Sequence, residues 1–312
     1  MIISASRRTD IPAYYAGWLF NRLKEGCVLV RNPANIHQVS RISLSPADVE
    51  GIVFWTKNPI PMLDKLALLR DYAYYFQFTI TSYGTDVEPN IPDKRKTMIP
   101  AFRHLSDLIG AGRVVWRYDP IMLGGGYTAD YHFEFFEKTA RQLSGYTKKC
   151  VISFVDHYRS MASRVKNLRL LSITTENKQQ IAQRLAEIAR GYGLQIEACA
   201  EETDLSRFGL GRARCVDSRL FGRSAVSAGK DKNQRSACDC DVSADIGMYD
   251  SCRGGCLYCY ASHSEKALRK NIERHNPSSP LLCGEAGEKD IVRERKAARP
   301  RKTGCLRGKD GA

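Results

Sequence analysis

Three cysteines lie close together in the last quarter of this 312-residue chain: Cys252, Cys256 and Cys259, in the segment DSCRGGCLYCYASHS. Their C-x3-C-x2-C spacing supplies three thiolates, whereas a cluster of four irons and four sulfides has four irons to ligate. Three protein ligands would leave one iron open, and an open metal position is a place for chemistry. Ferredoxin-type carriers and structural zinc sites close all four positions. The spacing therefore predicts a reactive iron–sulfur cluster.

Cys238 and Cys240 lie just upstream, so a zinc site built from neighbouring cysteines is the first alternative to a cluster. Disulfide bonds are the weaker alternative, because they belong to oxidising compartments. The N-terminal segment MIISASRRTDIPAYY has no apolar stretch of the roughly 7 to 15 residues found in secretion signals, and no small-residue cleavage site. We therefore expect a cytoplasmic protein with reduced thiols.

The charge balance is strongly basic. The net charge is +14 at pH 7, and residues 264–312 carry 13 Lys and Arg against 7 Asp and Glu. Such a surface is compatible with nucleic acid or another polyanion as partner, and also with a solvated surface that binds neither. The hydrophobic content is 43% and no run of about 18 apolar residues occurs, so the sequence predicts a globular protein without a membrane partner.

Short apolar segments alternate with segments of helical periodicity. This alternation predicts an α/β protein with a parallel sheet, and about seven or eight strands favour a (β/α) barrel of the TIM type, complete or partial. A doubly wound open sheet is the alternative, because the number of strands does not establish closure. The predicted strands are Ile2–Ala5, Cys27–Val30, Ile52–Trp55, Tyr74–Ile80, Val114–Tyr118, Val151–Val155 and Leu194–Cys199. The predicted helices are Pro12–Lys24, Pro61–Arg70, Met98–Ile109, Ala129–Leu143 and Glu176–Tyr192.

Charged side chains follow most of these strands. In a parallel barrel the carboxyl ends of all strands lie on one face, which is where such barrels carry their active sites. Each residue taken singly is as well explained as a cap or a loop ion pair. Their repetition at the same end of strand after strand favours a functional rim, formed by Arg7, Arg8, Asp10, Lys57, Arg117, Asp119, Asp156 and Glu201.

Tyr258 before the third cysteine, and Tyr260 and Ala261 after it, extend the motif to CxxxCxYCYA. In this form the segment resembles the radical S-adenosylmethionine (SAM) superfamily, and most of all its spore photoproduct lyase-like branch. The resemblance implies a four-iron four-sulfur cluster whose open iron binds SAM, and an electron donor such as a flavodoxin or ferredoxin. It implies further that an electron from the cluster cleaves SAM to methionine and a deoxyadenosyl radical, which abstracts hydrogen from a substrate.

With this resemblance, the rim residues are expected to take two kinds of role. The residues expected to be catalytic are Asp119, Arg117 and Lys57. The residues expected to bind SAM are Tyr258, Glu201, Arg7, Arg8 and Asp10. The three motif cysteines are expected to hold the cluster.

The position of the motif in the chain is unusual for that superfamily, in which it ordinarily follows the first strand. The run Asp245 to Tyr249 predicts a short strand leading into the cysteine segment. We therefore expect a circularly permuted barrel whose cluster-bearing strand comes last, since permutation is well tolerated where the termini of a domain lie close together. A small appended domain that carries the cluster is the other possibility.

The body of the chain resembles the bacterial domain-of-unknown-function 1848 family over about residues 1 to 263. This resemblance implies the fold and the cluster motif but no reaction. It predicts one domain over 1–263 and a basic tail over 264–312, in which 277–312 are expected to be disordered because they are rich in Pro, Gly, Lys and Arg. The segments that carry it are ISASRRTDIPAYY, VFWTKNP, FQFTIT, WRYDPI, CVISFVDHY, Gln234-Arg235 and DIGMYDSCRGGCLYCYA.

Two function classes follow. The first is a radical SAM-like enzyme acting on an unknown substrate. The second is a non-enzymatic protein in which a zinc or closed iron–sulfur site holds the C-terminal segment in place and a basic face binds nucleic acid. Cys199 and Cys215, at the ends of predicted strands, are interpreted either as ligands of a second cluster and hydrogen donors, or as buried small hydrophobes.

Overall fold

The structure is a computed structural model that describes residues 1–156, 158–222, 229–231 and 234–295. The strands in these residues are β1 (Ile2–Ala5), β2 (Cys27–Asn32), β3 (Asn35–Ser43), β4 (Gly51–Thr56), β5 (Tyr74–Thr79), β6 (Val114–Ile121), β7 (Lys149–Phe154), β8 (Gln195–Ala198), β9 (Gly211–Arg212), β10 (Ser243–Asp245) and β11 (Ile291–Glu294). The helices are α1 (Ile11–Tyr14), α2 (Ala16–Glu25), α3 (Ile60–Leu63), α4 (Ile99–Ile109), α5 (Ala129–Leu143), α6 (Ala162–Val165), α7 (Thr175–Gly191) and α8 (Glu265–Glu273).

The main sheet has eight strands in the order β10, β1, β4, β5, β6, β7, β8, β9. Every neighbouring pair in it is parallel, so the predicted parallel α/β arrangement is confirmed. Between β9 and β10 the described residues form no strand ladder. The segments next to these two strands do meet, because the Asp241 amide donates to the Val216 carbonyl at 3.0 Å.

The strand β2 does not belong to this sheet, and its predicted place there is wrong. It pairs antiparallel with β3, and β11 pairs parallel with β3, in a separate three-stranded sheet. Only two residues connect β2 to β3, and such a short connection suits an antiparallel hairpin but not a parallel crossover. The apolar run alone could not reveal this partner.

The helix α5 has the predicted bounds, since Thr128 caps it by accepting from the Tyr131 amide. The predicted helix over Pro12–Lys24 is instead the pair α1 and α2, which meet at Tyr15. None of the helices in the described parts of the chain is long and apolar enough to cross a membrane.

The main sheet buries side chains on both faces. On one face large aromatic residues such as Phe54, Phe76 and Trp116 pack with the helices in the larger core. On the other face a smaller core joins side chains from five strands to the segments that follow β8 and β9: Ile2, Val53, Tyr75, Val115, Val151, Cys199, Cys215 and Phe221. Gly51 is required here, because a Cβ at this position would lie 2.4 Å from the Phe221 ring. Strands buried on both faces explain the continuous apolar runs in the sequence.

The C-terminal segment is ordered and packed as far as Arg295, so the disorder expected over 277–312 is wrong for residues 277–295. The Trp18 indole donates to the Ser279 carbonyl at 2.9 Å, and Arg22 donates to the Ser278 carbonyl at 2.9 Å. Leu281 and Leu282 are buried. Composition predicted disorder because this segment has few apolar residues, but those few are inserted against α2. The remainder of the predicted tail, 296–312, lies outside the described residues.

His132 of α5 is fully buried among three polar partners, the Met122 carbonyl and the Tyr118 and Ser82 hydroxyls. Its Nε2 lies 2.8 Å from the Met122 carbonyl, which can only accept, so this nitrogen carries the hydrogen. Its Nδ1 then accepts from the Tyr118 hydroxyl at 2.7 Å. The imidazole is therefore neutral, and burial lowers the pKa of His132 to about 4, while its bond to Met122 opposes this shift.

We expect this histidine to make the fold sensitive to acid. Because its folded pKa lies below the unfolded value near 6.5, the unfolded chain binds a proton first as the pH falls. Stability should therefore fall between about pH 6.5 and 4, by on the order of 3 kcal/mol from this group. Urea unfolding across this range measures the slope, which His132→Gln should reduce because glutamine can donate to Met122 without titrating. An unchanged slope in that variant would contradict the assignment.

Candidate functional site

The cysteine segment follows β10, which pairs with β1 at one side of the main sheet. The Asp245 carboxylate at the end of β10 ties the two strands together by accepting from the Ser4 hydroxyl at 3.0 Å, the Ser6 hydroxyl at 2.6 Å and the Arg7 amide at 2.8 Å. The Thr9 and Ser251 hydroxyls then meet at 2.6 Å. The chain that enters the cysteine motif is therefore held against the carboxyl end of β1.

The motif itself forms a compact loop, called here the cysteine loop (residues 252–259). A Cβ on Gly254 would lie 3.5 Å from the Cys252 sulfur and 3.7 Å from the Cys256 sulfur, so this glycine keeps the space beside both sulfurs free of a side chain. The Cys259 amide donates to the Cys256 carbonyl at 3.1 Å, which turns the loop back toward its start. Gly255 has φ +68°, a conformation that favours glycine.

Arg164 of α6 fixes the outer side of the cysteine loop. Its guanidinium donates to three backbone carbonyls, those of Cys256 at 3.3 Å, Cys259 at 2.6 Å and Ser262 at 2.8 Å. A planar fork of donors suits such a set of acceptors. Arg164 is not among the residues predicted from the sequence, because nothing in the sequence around a short helix indicates carbonyl partners about 90 residues further along the chain.

Glu88, in the loop after β5, is the centre of a buried ionic network beside the cysteine loop. Its carboxylate pairs with Lys57 at 2.8 Å and Lys94 at 2.5 Å, and accepts from the Thr81 hydroxyl at 2.9 Å. The Tyr258 hydroxyl of the cysteine loop also donates to it. Burial would raise the pKa of Glu88, but the two ammonium groups lower it to about 2. The network therefore joins the cysteine loop to the ends of β4 and β5.

This network places the cysteine loop at the carboxyl ends of the main strands. Lys57 follows β4, and its ammonium group lies 5.6 Å from the centre of the Tyr258 ring. The Leu257 amide also donates to the Val87 carbonyl at 3.0 Å, and the Tyr260 hydroxyl donates to the Arg7 carbonyl at 2.8 Å. Lys57 and Tyr258 are thus brought together as neighbours of the three cysteines.

The thiols of the cysteine loop are costly to ionise without a cation. Burial raises the pKa of Cys252 to about 12. Burial also raises the pKa of Cys256 well above its usual range, although the charge of Lys57 opposes this shift. A bound metal supplies the positive charge that such thiolates need.

Asp119, beyond the middle of β6, lies in a second ionic pair of the rim. The Arg117 guanidinium and the Ser153 hydroxyl both donate to its carboxylate. Burial would raise the pKa of Asp119, but Arg117 and Ser153 hold it below its usual range, with a smaller contribution from Lys57. The Asp119 side chain keeps 23% of its surface exposed, so it is open to a ligand.

Arg7 and Arg117 lie against the same aromatic side chain. The Arg117 guanidinium carbon is 5.2 Å from the centre of the Trp55 ring, and that of Arg7 is 5.5 Å from it. Within the described residues, Arg7 Nη2 is buried and has no hydrogen-bond partner. A buried donor without a partner is costly, and therefore marks a place where a ligand or an anion would be stabilised.

The other rim residues are occupied by protein partners. Asp10 accepts from the Lys57 amide at 2.7 Å and from the Ala13 amide at 3.0 Å, and burial raises its pKa to about 6. The remaining three also contact protein groups. The Glu201 carboxylate accepts from the Phe154 amide and pairs with Lys178, and Asp156 pairs with Arg235. The Arg8 guanidinium carbon lies 5.0 Å from the centre of the Tyr249 ring. The roles predicted for these residues remain predictions. The contacts of Glu201 are with residues of β7 and α7.

The described residues contain no group of three or more His, Cys, Asp or Glu side chains placed to hold a single metal ion. A four-iron cluster makes a different demand, because each thiolate binds a separate iron and the sulfurs do not converge on one point. Three thiols in one loop, with a glycine in place of a side chain between two of them, fit that demand.

The fold and the site define a parallel α/β protein that carries a three-cysteine loop on the carboxyl ends of its strands. The family described as Domain of unknown function (DUF1848) matches residues 2–261, and the chain belongs to this family. No curated protein matches the chain.

We expect Glu88→Gln to destabilise the protein strongly. The change would leave Lys57 and Lys94 as uncompensated buried charges, and breaking a buried ionic network in this way costs on the order of 3 kcal/mol. Urea unfolding measures the loss. Tyr258→Phe is the matched control, since it removes one hydroxyl donor and should cost about 1 kcal/mol. Equal stability of Glu88→Gln and the unmodified protein would show that the network does not carry the loop.

Proposed function

We propose that this protein is a radical SAM-type enzyme in which Cys252, Cys256 and Cys259 hold a four-iron four-sulfur cluster. The observation that carries the proposal is the position of the cysteine loop, which is joined through Tyr258 and Glu88 to the rim formed by the strand ends. A cluster with an open iron supplies the single electron that cleaves SAM, drawn from a donor such as a flavodoxin or ferredoxin.

The residues of the chain then bind and orient. The three thiolates retain the cluster, and Arg164 keeps the loop carbonyls in place. Asp119, partly exposed and held ionised by Arg117, is suited to bind the SAM amino group as an ion pair. Tyr258 and the Glu88 network close one side of the site against water, which a reactive radical requires.

We infer further that the main sheet closes into a permuted (β/α) barrel. Side chains of β1, β4, β5, β6 and β7 share one buried core with the segments that follow β8 and β9, so the two ends of the strand order contribute to the same core. The Ser218 amide donates to the Asp241 carboxylate at 2.8 Å, so the segments next to β9 and β10 are bonded to each other. The strand that precedes the cysteine loop is β10, near the end of the barrel order and adjacent to β1.

Asp119→Ala provides the test. In protein prepared without oxygen and reduced with dithionite, we expect the unmodified chain to release 5′-deoxyadenosine from SAM. Asp119→Ala should lower that rate by about 100-fold, because misplaced SAM loses its reactive geometry, while iron and sulfide stay complete. Asp107→Ala is the matched control, because Asp107 is an exposed residue near the end of α4, close to the start of β6 and not to its carboxyl end, and it should retain the rate.

Two outcomes would contradict the proposal. If the iron-loaded protein never cleaves SAM, the proposed reaction is wrong. A colourless protein that holds zinc on the three motif cysteines and binds nucleic acid through its basic face would favour the non-enzymatic alternative.

A further inference from the structure

Four other cysteines lie together in the smaller core, on one face of the main sheet: Cys199, Cys215, Cys238 and Cys240. The Cys215 sulfur lies 3.2 Å from the Cys199 sulfur. Cys238 and Cys240 pack in the same buried cluster, and the Cys240 sulfur lies 3.4 Å from the amide nitrogen of Val216, the residue after Cys215. All four are buried. They come from three separate segments, which follow β8, follow β9 and precede β10, so the fold and not local sequence brings them together.

The surroundings of these thiols are suited to negative charge. Arg117 Nη1 donates to the Cys215 sulfur at 2.9 Å, and the Val216 amide donates to the Cys240 sulfur at 3.4 Å. The charge of Arg7 also acts on Cys240, and its Nη2 is the buried donor that has no partner among the described residues. Neutral thiols accept hydrogen bonds weakly, so they do little to compensate the buried guanidinium of Arg7, whereas Arg117 already has Asp119 as its partner.

A metal ion bound by four thiolates resolves this imbalance. Four thiolates around a divalent ion carry a net charge of −2, which the nearby guanidinium groups of Arg7 and Arg117 would stabilise. Sulfur ligands select soft ions, and a set of four sulfurs in a tetrahedron is typical of zinc. Donors to the ligating sulfurs, such as Arg117 and the Val216 amide, are the kind of outer contact that metal sites use to orient their ligands.

We propose that Cys199, Cys215, Cys238 and Cys240 bind one zinc ion at a site separate from the cysteine loop. The Cys199 and Cys215 sulfurs are in contact, and in the described residues the four sulfurs do not surround a common point. Binding therefore requires the thiols to turn toward one centre and to release their protons. The ion would join the end of β8 and the segment after β9 to the segment before β10, where the described residues form no strand ladder.

The test uses a full-length chain in which Cys252, Cys256 and Cys259 are all replaced by Ala, so that the result does not depend on the proposed cluster. Prepared without oxygen, this chain should retain about one zinc per chain by elemental analysis. Adding Cys215→Ala or Cys240→Ala should abolish that zinc. Cys150→Ala is the matched control, because Cys150 is a fully buried cysteine of β7 that lies in the larger core, and it should leave the zinc in place.

Cobalt gives a second readout that does not require any of the interior variants to fold. Co²⁺ added to the metal-free triple variant should produce the strong thiolate-to-metal absorption of a four-sulfur site, and Zn²⁺ should displace it. The proposal is overturned if the triple variant holds no zinc and gives no such absorption. It is also overturned if Cys215→Ala retains zinc, or if Cys199 and Cys215 are joined by a disulfide in protein kept anaerobic. None of these results bears on iron bound by the cysteine loop.

Discussion

Replacing Cys252, Cys256 or Cys259 singly with Ala will remove iron, sulfide and SAM cleavage together. Two thiolates hold a four-iron cluster poorly, and all three cysteines share one loop, so no other described side chain is placed to substitute. We expect iron to fall from about four per chain to a small fraction of that value, and the brown colour of the anaerobic protein to disappear. Iron and sulfide analysis with the visible spectrum measures both.

Cys283→Ala is the matched control for these variants. Cys283 is a buried cysteine whose pKa is raised by burial to about 11, and it lies outside the cysteine loop, so its removal should leave the iron content complete. Cys305 is expected to be equally dispensable for iron, although it lies outside the described residues. If any one of the three motif variants kept a full complement of iron and sulfide, the ligand assignment would be wrong.

The sequence could predict those features that depend on local periodicity and on the ends of strands. The helix α5 and six strands of the main sheet lie where the apolar residues predict them. Each of these elements is buried, and its burial determines which of its residues are apolar. The sheet to which β2 belongs could not be predicted in this way, because its apolar residues would be the same in either sheet. The two-residue strand β9 carries no periodic signal at all.

The candidate site shows the same division. The expectation that the charged strand ends gather on one side led to Lys57 and Asp119. It missed Glu88 and Lys94, which lie on the long connection between β5 and α4 and acquire their importance only when that connection folds over the strands. A buried carboxylate with two ammonium partners is a tertiary property, because neither lysine is at a helical spacing from it. The interior thiols were noticed as residues but not as one group, for the same reason.

The position of the ionic network suggests how the fold and the proposed chemistry depend on each other. Glu88 contacts Lys57 of the rim and Tyr258 of the cysteine loop, so a shift of the loop would break the Tyr258 hydrogen bond and open the buried ion pairs of Glu88 to water. The cost of such a shift resists opening of the site. The same contacts that stabilise the fold therefore keep the cysteine loop beside Lys57.

Truncating the chain after Ser264 will destroy the cooperative fold, even though the family match ends at residue 261. The truncation removes Leu281 and Leu282 from the larger core region and exposes Trp18, and burial of each such side chain is worth roughly 1.5 to 3 kcal/mol. Their sum is comparable to the whole stability of a typical domain. It also removes the Pro280 carbonyl that accepts from the Leu29 amide of β2.

A truncation after Arg295 is the matched control for this expectation. It removes only residues 296–312 and leaves β11 paired with β3. We expect this shorter deletion to be soluble, to melt cooperatively within a few degrees of the full chain and to load the same iron, whereas the deletion after Ser264 should give insoluble or non-cooperatively melting protein. Soluble yield, thermal melting and iron content measure the difference. Equal behaviour of the two truncations would mean that the contacts of Ser279 to Cys283 with α2 contribute little and that the domain ends where the family match ends. Removing a segment that stabilises the fold must lower the melting temperature.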